Sequence, residues 1–291
     1  MLVWDFNSDE VTSGQWLKGH VYTKRADVSP DGRYVVIAAS NYSKAHNSEE
    51  GWLTSGWTAI SRPPYFSALA VWLTGGAWNG GGIWKRKRDL SLNNFAHCWK
   101  ARVKPTNAIR TKNLDLGPSE NEPIYTMRLR EHGWNLARKI DTKLLNPEDR
   151  VKHEKARKTF LGMGLGVFDL KDVRAKMEVF ESLRATEPRY GTIASQLMEK
   201  RFARGRLVRE TDLNGDSWSV EDETGKRVRS WQCTYSQSQW VDVDRNGRLV
   251  FGDKGCLWAW ADFPAGQPTL IADLNPNLFT PVAPPDWALQ W

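Results

Sequence analysis

Along most of the chain, β-branched and aromatic positions come in short runs broken by turn-forming residues, the pattern of strands rather than of long helices. Four dipeptides that accept positive φ, Asp31-Gly32, Asn79-Gly80, Asn214-Gly215 and Asn246-Gly247, lie beside such runs. They predict tight hairpin turns and sheets that are largely antiparallel. Between His97 and Lys104 the alternation is regular, with His97, Trp99, Ala101 and Val103 set against Cys98, Lys100, Arg102 and Lys104. This period of two predicts a half-buried strand with one basic face, ended by Pro105. Helical spacing is confined to one region. Asn146-Pro147-Glu148-Asp149 has the cap, proline and acids of a helix start, and that helix is expected to run to Gly162. A second, from Asp169, places Leu170, Val173, Met177 and Phe180 on one stripe. The pair predicts a two-helix insertion over residues 146–182.

The chain also repeats itself. Asp27-Val-Ser-Pro-Asp-Gly-Arg-Tyr-Val-Val matches Asp242-Val-Asp-Arg-Asn-Gly-Arg-Leu-Val-Phe in the order of strand, turn, Gly-Arg and apolar strand. Self-similarity of this kind marks repeat architectures. The first copy resembles the Ser-Pro-Asp-Gly-Arg hairpin in blades of TolB-like and WD-repeat-like β-propellers, a likeness of ten residues or so that carries no activity. It implies a mainly β, propeller-like single domain over 1–291, and the spacing of the two Gly-Arg turns suggests five blades, or six shorter ones. Ring closure would bring the Met1 to Phe6 strand to C-terminal strands. A β-sandwich with a helical insertion is the alternative.

Composition changes the picture where charge is concerned. The chain has 291 residues, 41 Lys plus Arg and 34 Asp plus Glu, for a net charge of +7. Lys85, Arg86, Lys87, Arg88, Lys100, Arg102, Lys104, Arg110 and Lys112 stand in one segment whose only acid is Asp89. Outside that segment the chain is close to neutral. The segment reads as a partner- or anion-binding stripe, with Trp78 and Trp84 as candidate aromatics on the binding face. An acidic protein is the first partner and nucleic-acid phosphate the alternative. The competing structural reading is an edge strand that uses cations to block edge-to-edge pairing.

Other motifs carry less chemistry. Gly75 to Trp84 packs five glycines and two tryptophans into ten positions without the Lys-Ser/Thr of a P-loop, and reads as a flexible hairpin tip. Gly162-Met-Gly-Leu-Gly166 follows a helix rather than a strand and reads as a helix end. Asp242, Asp244, Asn246 and Asp253 have much of the spacing of a calcium loop, but strand-like flanks stand where helices are needed. No metal and no cofactor are therefore expected. Trp72, Trp240, Trp258 and Trp260 are assigned to strand packing, and Trp287 to a loop. Three cysteines at irregular spacing and the absence of a secretory pattern in the chain as given lead to the cytoplasm as the expected compartment, with no membrane contact. No nucleophile elbow, zinc-protease or Cys-x-x-Cys motif is found. The expected function is a non-enzymatic interaction or scaffold module that docks an acidic partner. Alternatives are a nucleic-acid-associated subunit and a hydrolase with its site in the propeller channel.

Overall fold

The computed structural model describes residues 1–43, 55–74, 76–94, 101–114, 116, 120–141, 193–212, 215–232 and 239–291. The helical pair expected at 146–182 and the Gly162 to Gly166 stretch lie outside them. The fold is mainly β, with several antiparallel sheets. Where the sequence suggests one domain, contacts cluster in two compact units, Met1–Gly133 with Leu274–Trp291, and Trp134–Asp273.

In the first unit β1 (Leu2–Trp4) pairs with β2 (Val11–Ser13) as a separate two-stranded sheet. This corrects the expected pairing of the Met1 to Phe6 strand with C-terminal strands: Asp5 to Glu10 turn the chain back, so β1 finds its neighbour locally. The larger sheet contains β3 (His20–Val21), β4 (Asp27–Val28), β5 (Val35–Ser40), β6 (Gly56–Ser61) and β7 (Ala68–Leu73). A three-stranded sheet contains β8 (Gly82–Arg86), β9 (Asp89–Leu92) and β11 (Arg110–Asn113), with β11 parallel to β9. The intervening β10 (Ala101–Val103) joins the larger sheet beside β7.

All six residues of β5 are buried because both faces of its sheet are covered. Val36 packs with Tyr34, Ile60, Trp72, Trp84 and Leu90 on one side, and Val35, Ile37 and Ala39 pack with Ala59 on the other. A helix α1 (Ile124–Glu131), not expected from the sequence, buries Ile124, Tyr125 and Leu129.

The glycine-rich stretch before β8 is a buried connection between two sheets, not a hairpin tip. Arg25, itself buried, donates to the carbonyls of Ala77 and Asn79, and Thr58 Oγ1 accepts from Gly81 N at 2.8 Å. Gly81 has φ +76°, and a Cβ there would stand 2.0 Å from the Arg25 carbonyl oxygen. The glycines admit a backbone crossing, and Asn79-Gly80 therefore does not close a hairpin. The alternation predicted through Val103 also fails at its end. Ala101 pairs with Trp72 and Val103 with Val71, a bulge that leaves Val103 46% exposed.

The second unit holds two antiparallel meanders. One runs through β12 (Asn135–Asp141), β13 (Ile193–Phe202), β14 (Gly205–Asp212), β15 (Gly215–Asp222) and β16 (Arg227–Gln232). The other is β17 (Trp240–Val243), β18 (Leu249–Asp253), β19 (Cys256–Trp260) and β20 (Thr269–Asp273). Trp231 meets Phe251 at a centroid distance of 5.0 Å, so the two sheets share an aromatic contact.

The sequence repeat is a repeated turn. Between β4 and β5, Gly32 N donates to Ser29 O and Tyr34 N to Ser29 Oγ. Between β17 and β18, Gly247 N donates to Asp244 O, while Asn246 N and Arg248 N both donate to Asp244 Oδ1 at 2.9 Å. A third copy, Asp222-Glu-Thr-Gly-Lys226 between β15 and β16, makes the same bonds, with Thr224 N and Lys226 N donating to Asp222 Oδ1. Its Gly225 has φ 82°, beside 72° at Gly32 and 77° at Gly247. In each, a short side chain at the first position satisfies amides that the reversing chain leaves unpaired.

Candidate functional site

The basic segment maps onto two edges of the first unit. β8 and β9 form a hairpin in which Arg86 stands opposite Asp89, so Lys87 and Arg88 are its two turn residues. β11 lies along β9 and places Arg110 beside Asp89 and Lys112 beside Ser91. Arg86, Lys87, Arg88, Arg110 and Lys112 are all exposed. Arg110 Nε donates to Asp89 Oδ1 at 2.5 Å. That bond holds the Asp89 carboxyl below the usual carboxylate range, helped by the charges of Arg110, Arg86 and Lys112. Three cations thus gather about one carboxylate, and Arg110 is raised in turn by its bond to Asp89. Lys85 is committed to Glu131 of α1.

The turn from Ser29 to Arg33 stands near the hairpin. Burial would raise the Asp31 carboxyl, but bonds from Ser29 Oγ and Arg33 N, together with the charge of Lys87, leave it lowered. Arg33 was not among the residues expected from the sequence, and it adds an exposed cation to this turn. The available signal was the Gly-Arg ending shared by the repeated turns.

Arg102 and Lys104 are exposed but belong to the edge of the larger sheet, and Lys100 lies outside the described residues. The structure does not gather the stripe into one strand face. Both β10 and β11 are edge strands, so the protective role of edge cations accounts for Arg102, Arg110 and Lys112. It does not account for Arg86, Lys87 and Arg88 at the tip of a hairpin. Among the described residues, none of these three, nor Lys112, has an ion-pair partner.

Trp84 is a correction. It is 3% exposed and stacks on Tyr34 in the core, with its backbone N–H donating to the buried Asp27 carboxylate at 2.8 Å, so it presents no ring to a partner. Trp78 is half-buried in the crossing loop. Trp72 and Trp260 are buried as expected, whereas Trp240 is partly exposed, and Trp287 is exposed near the C-terminus.

The calcium candidates are engaged separately. Asp244 serves its own turn and an ion pair with Arg248 at 2.8 Å, Asp242 takes Lys200 at 2.6 Å, and Asp253 takes Arg229 at 3.2 Å. Asn246 sits in the turn with its amide donating to Asp244. Among the described residues no three His, Cys, Asp or Glu side chains form a group able to hold a metal. Nor, among them, is any helix long and apolar enough to cross a membrane. Comparison with family models, curated proteins and solved structures finds no match to this chain.

Proposed function

We propose that the protein is a non-enzymatic interaction module that docks an acidic protein surface on the β8–β9 hairpin and the adjoining β11. The observation that carries this reading is the set of exposed, uncommitted cations Arg86, Lys87, Arg88 and Lys112 around the single Arg110–Asp89 pair. Arginine at the tip suits carboxylates, because its planar donors can meet both carboxylate oxygens at once. Among the described residues of the hairpin the one aromatic ring, Trp84, faces the core and is not open to stack on bases. This favours carboxylates over nucleic-acid phosphates. The scaffold is read as propeller-like, with about five blades. The three copies of one Gly-centred hairpin and the four-stranded β17 to β20 meander support that part. The cytoplasm is the compartment this reading assumes.

The test uses two defined polyanions, poly-L-glutamate and a short DNA duplex, titrated against the full chain. Poly-L-glutamate is expected to bind, and the triple reversal Arg86→Glu, Arg88→Glu, Lys112→Glu to abolish that binding with the fold intact. Tighter binding of DNA, falling steeply between about 50 and 200 mM salt, would move the function to the phosphate reading.

A further inference from the structure

We infer that the hollow on the Ser219 face of the β13 to β16 sheet is a binding site, separate from the basic hairpin, for a small neutral polyhydroxylated ligand, a mono- or disaccharide. Trp218 and Trp231, opposite each other on β15 and β16, turn to the other face, where Trp218 meets Trp134 at a centroid distance of 5.3 Å and Trp231 meets Phe251. Successive strand residues point to opposite faces, so Val208, Ser219 and Ser230, side by side on β14, β15 and β16, lie away from that aromatic core. On a flat solvent face they would be open to water. Val208 and Ser219 are instead each 6% exposed, and all three line a cavity of about 430 Å³. That volume falls within the range of small-molecule sites, about 300–1,000 Å³.

The lining selects the chemistry of the ligand. Its charges cancel, Arg206 and Arg227 standing against Glu210 and Glu221, and Arg206 is already bound to Glu221 at 2.5 Å. An ion would find no net complement here. Apart from Arg227 at the exposed start of β16, the lining groups left without a partner are neutral. Among the described residues no group bonds to the hydroxyls of Ser219 and Ser230 or to the side-chain amide of Gln232. Ser219 decides the matter, because a hydroxyl on so deeply buried a residue is costly to leave unmatched. Hydroxyl and amide groups both donate and accept, which suits ligand hydroxyls that do the same. Leu197 and Val208, on neighbouring strands of this face, add an apolar patch for the C–H groups of a sugar ring.

The experiment is saturation-transfer NMR on the full chain with glucose, galactose, mannose, N-acetylglucosamine, maltose and cellobiose, beside the charged sugars glucuronate and glucosamine. Saturable binding of at least one neutral sugar is expected, weakened at least about tenfold by Ser219→Val and by Gln232→Ala. The triple charge reversal in the hairpin sheet should leave that binding unchanged. Gln232 is exposed, so Gln232→Ala keeps the test valid should Ser219→Val fail to fold. No binding of any neutral sugar, tighter binding of glucuronate or glucosamine, or unchanged binding by the folded variants would overturn the inference.

Discussion

Two regions of this protein use arginine in opposite ways. In the second unit four arginines stand close against carboxylates. Arg206 is held between Glu199 and Glu221, Arg209 meets Asp216 at 2.8 Å, and Arg229 and Arg248 meet Asp253 and Asp244. In the first unit, the β8–β9 hairpin and β11 present five exposed cations and one carboxylate on the same sheet, Asp89. A count of arginines therefore says nothing about binding. What separates structural cations from available ones is whether the sheet register brings them an acid.

The strongest way to sharpen this contrast is to break a paired cation. Arg209 is 1% exposed and Asp216 is also buried, with Thr211 Oγ1 donating to the same carboxylate at 2.7 Å. Asp216→Ala leaves a guanidinium without its carboxylate in the interior and should destabilise the fold by about 3–5 kcal/mol, measured by urea denaturation. A loss below about 1 kcal/mol would mean that the pair is not structural.

Next come the turns. Gly225 and Gly247 have positive φ with open space where a Cβ would stand, so Gly225→Ala and Gly247→Ala meet only backbone strain. Each should cost about 1–2 kcal/mol in thermal unfolding.

A smaller effect is expected on acidification. The Asp222 carboxyl is held below its ordinary value first by the Thr224 hydroxyl, then by the amides of Lys226 and Thr224, and Asp89 is held down first by Arg110. A depressed carboxylate contributes stability that is present above its unfolded pKa and lost as pH falls through the folded one. The melting temperature should thus fall below about pH 4, and Asp222→Asn should lessen that dependence. The smallest effect belongs to the uncommitted cations: Arg86→Glu, Arg88→Glu and Lys112→Glu together should change stability by no more than about 0.5 kcal/mol each.

Much of this was legible in the sequence, for local reasons. The hairpins at Asp31-Gly32 and Asn246-Gly247 are written in residues that stand next to one another, as is the concentration of charge from Lys85 to Lys112. The third turn, at Asp222, escaped notice because Thr224-Gly225 lacks the Asn-Gly dipeptide, although its Asp222 and Gly225 match Asp244 and Gly247 and its Lys226 keeps the basic residue after the glycine. Features set by distant pairing were out of reach. Trp84 looked like a partner anchor because it precedes the basic run, yet its face of β8 is decided by Tyr34, 50 positions upstream. The helix α1 has a weak amphipathic pattern and no side-chain cap, so its sequence announces neither a face nor a start. The concentration of cations was legible as a segment, but not its division between two sheets. Its cations divide between two sheets because β10 leaves the three-stranded sheet to pair with β7.

The measurement closest to the central claim is the affinity of the full chain for poly-L-glutamate, compared between the triple charge reversal in the hairpin sheet and the reversal Arg227→Glu in the second unit. The account predicts loss of at least about tenfold in the first and no change in the second, both proteins keeping their melting temperature. Equal affinities in the two variants would contradict it.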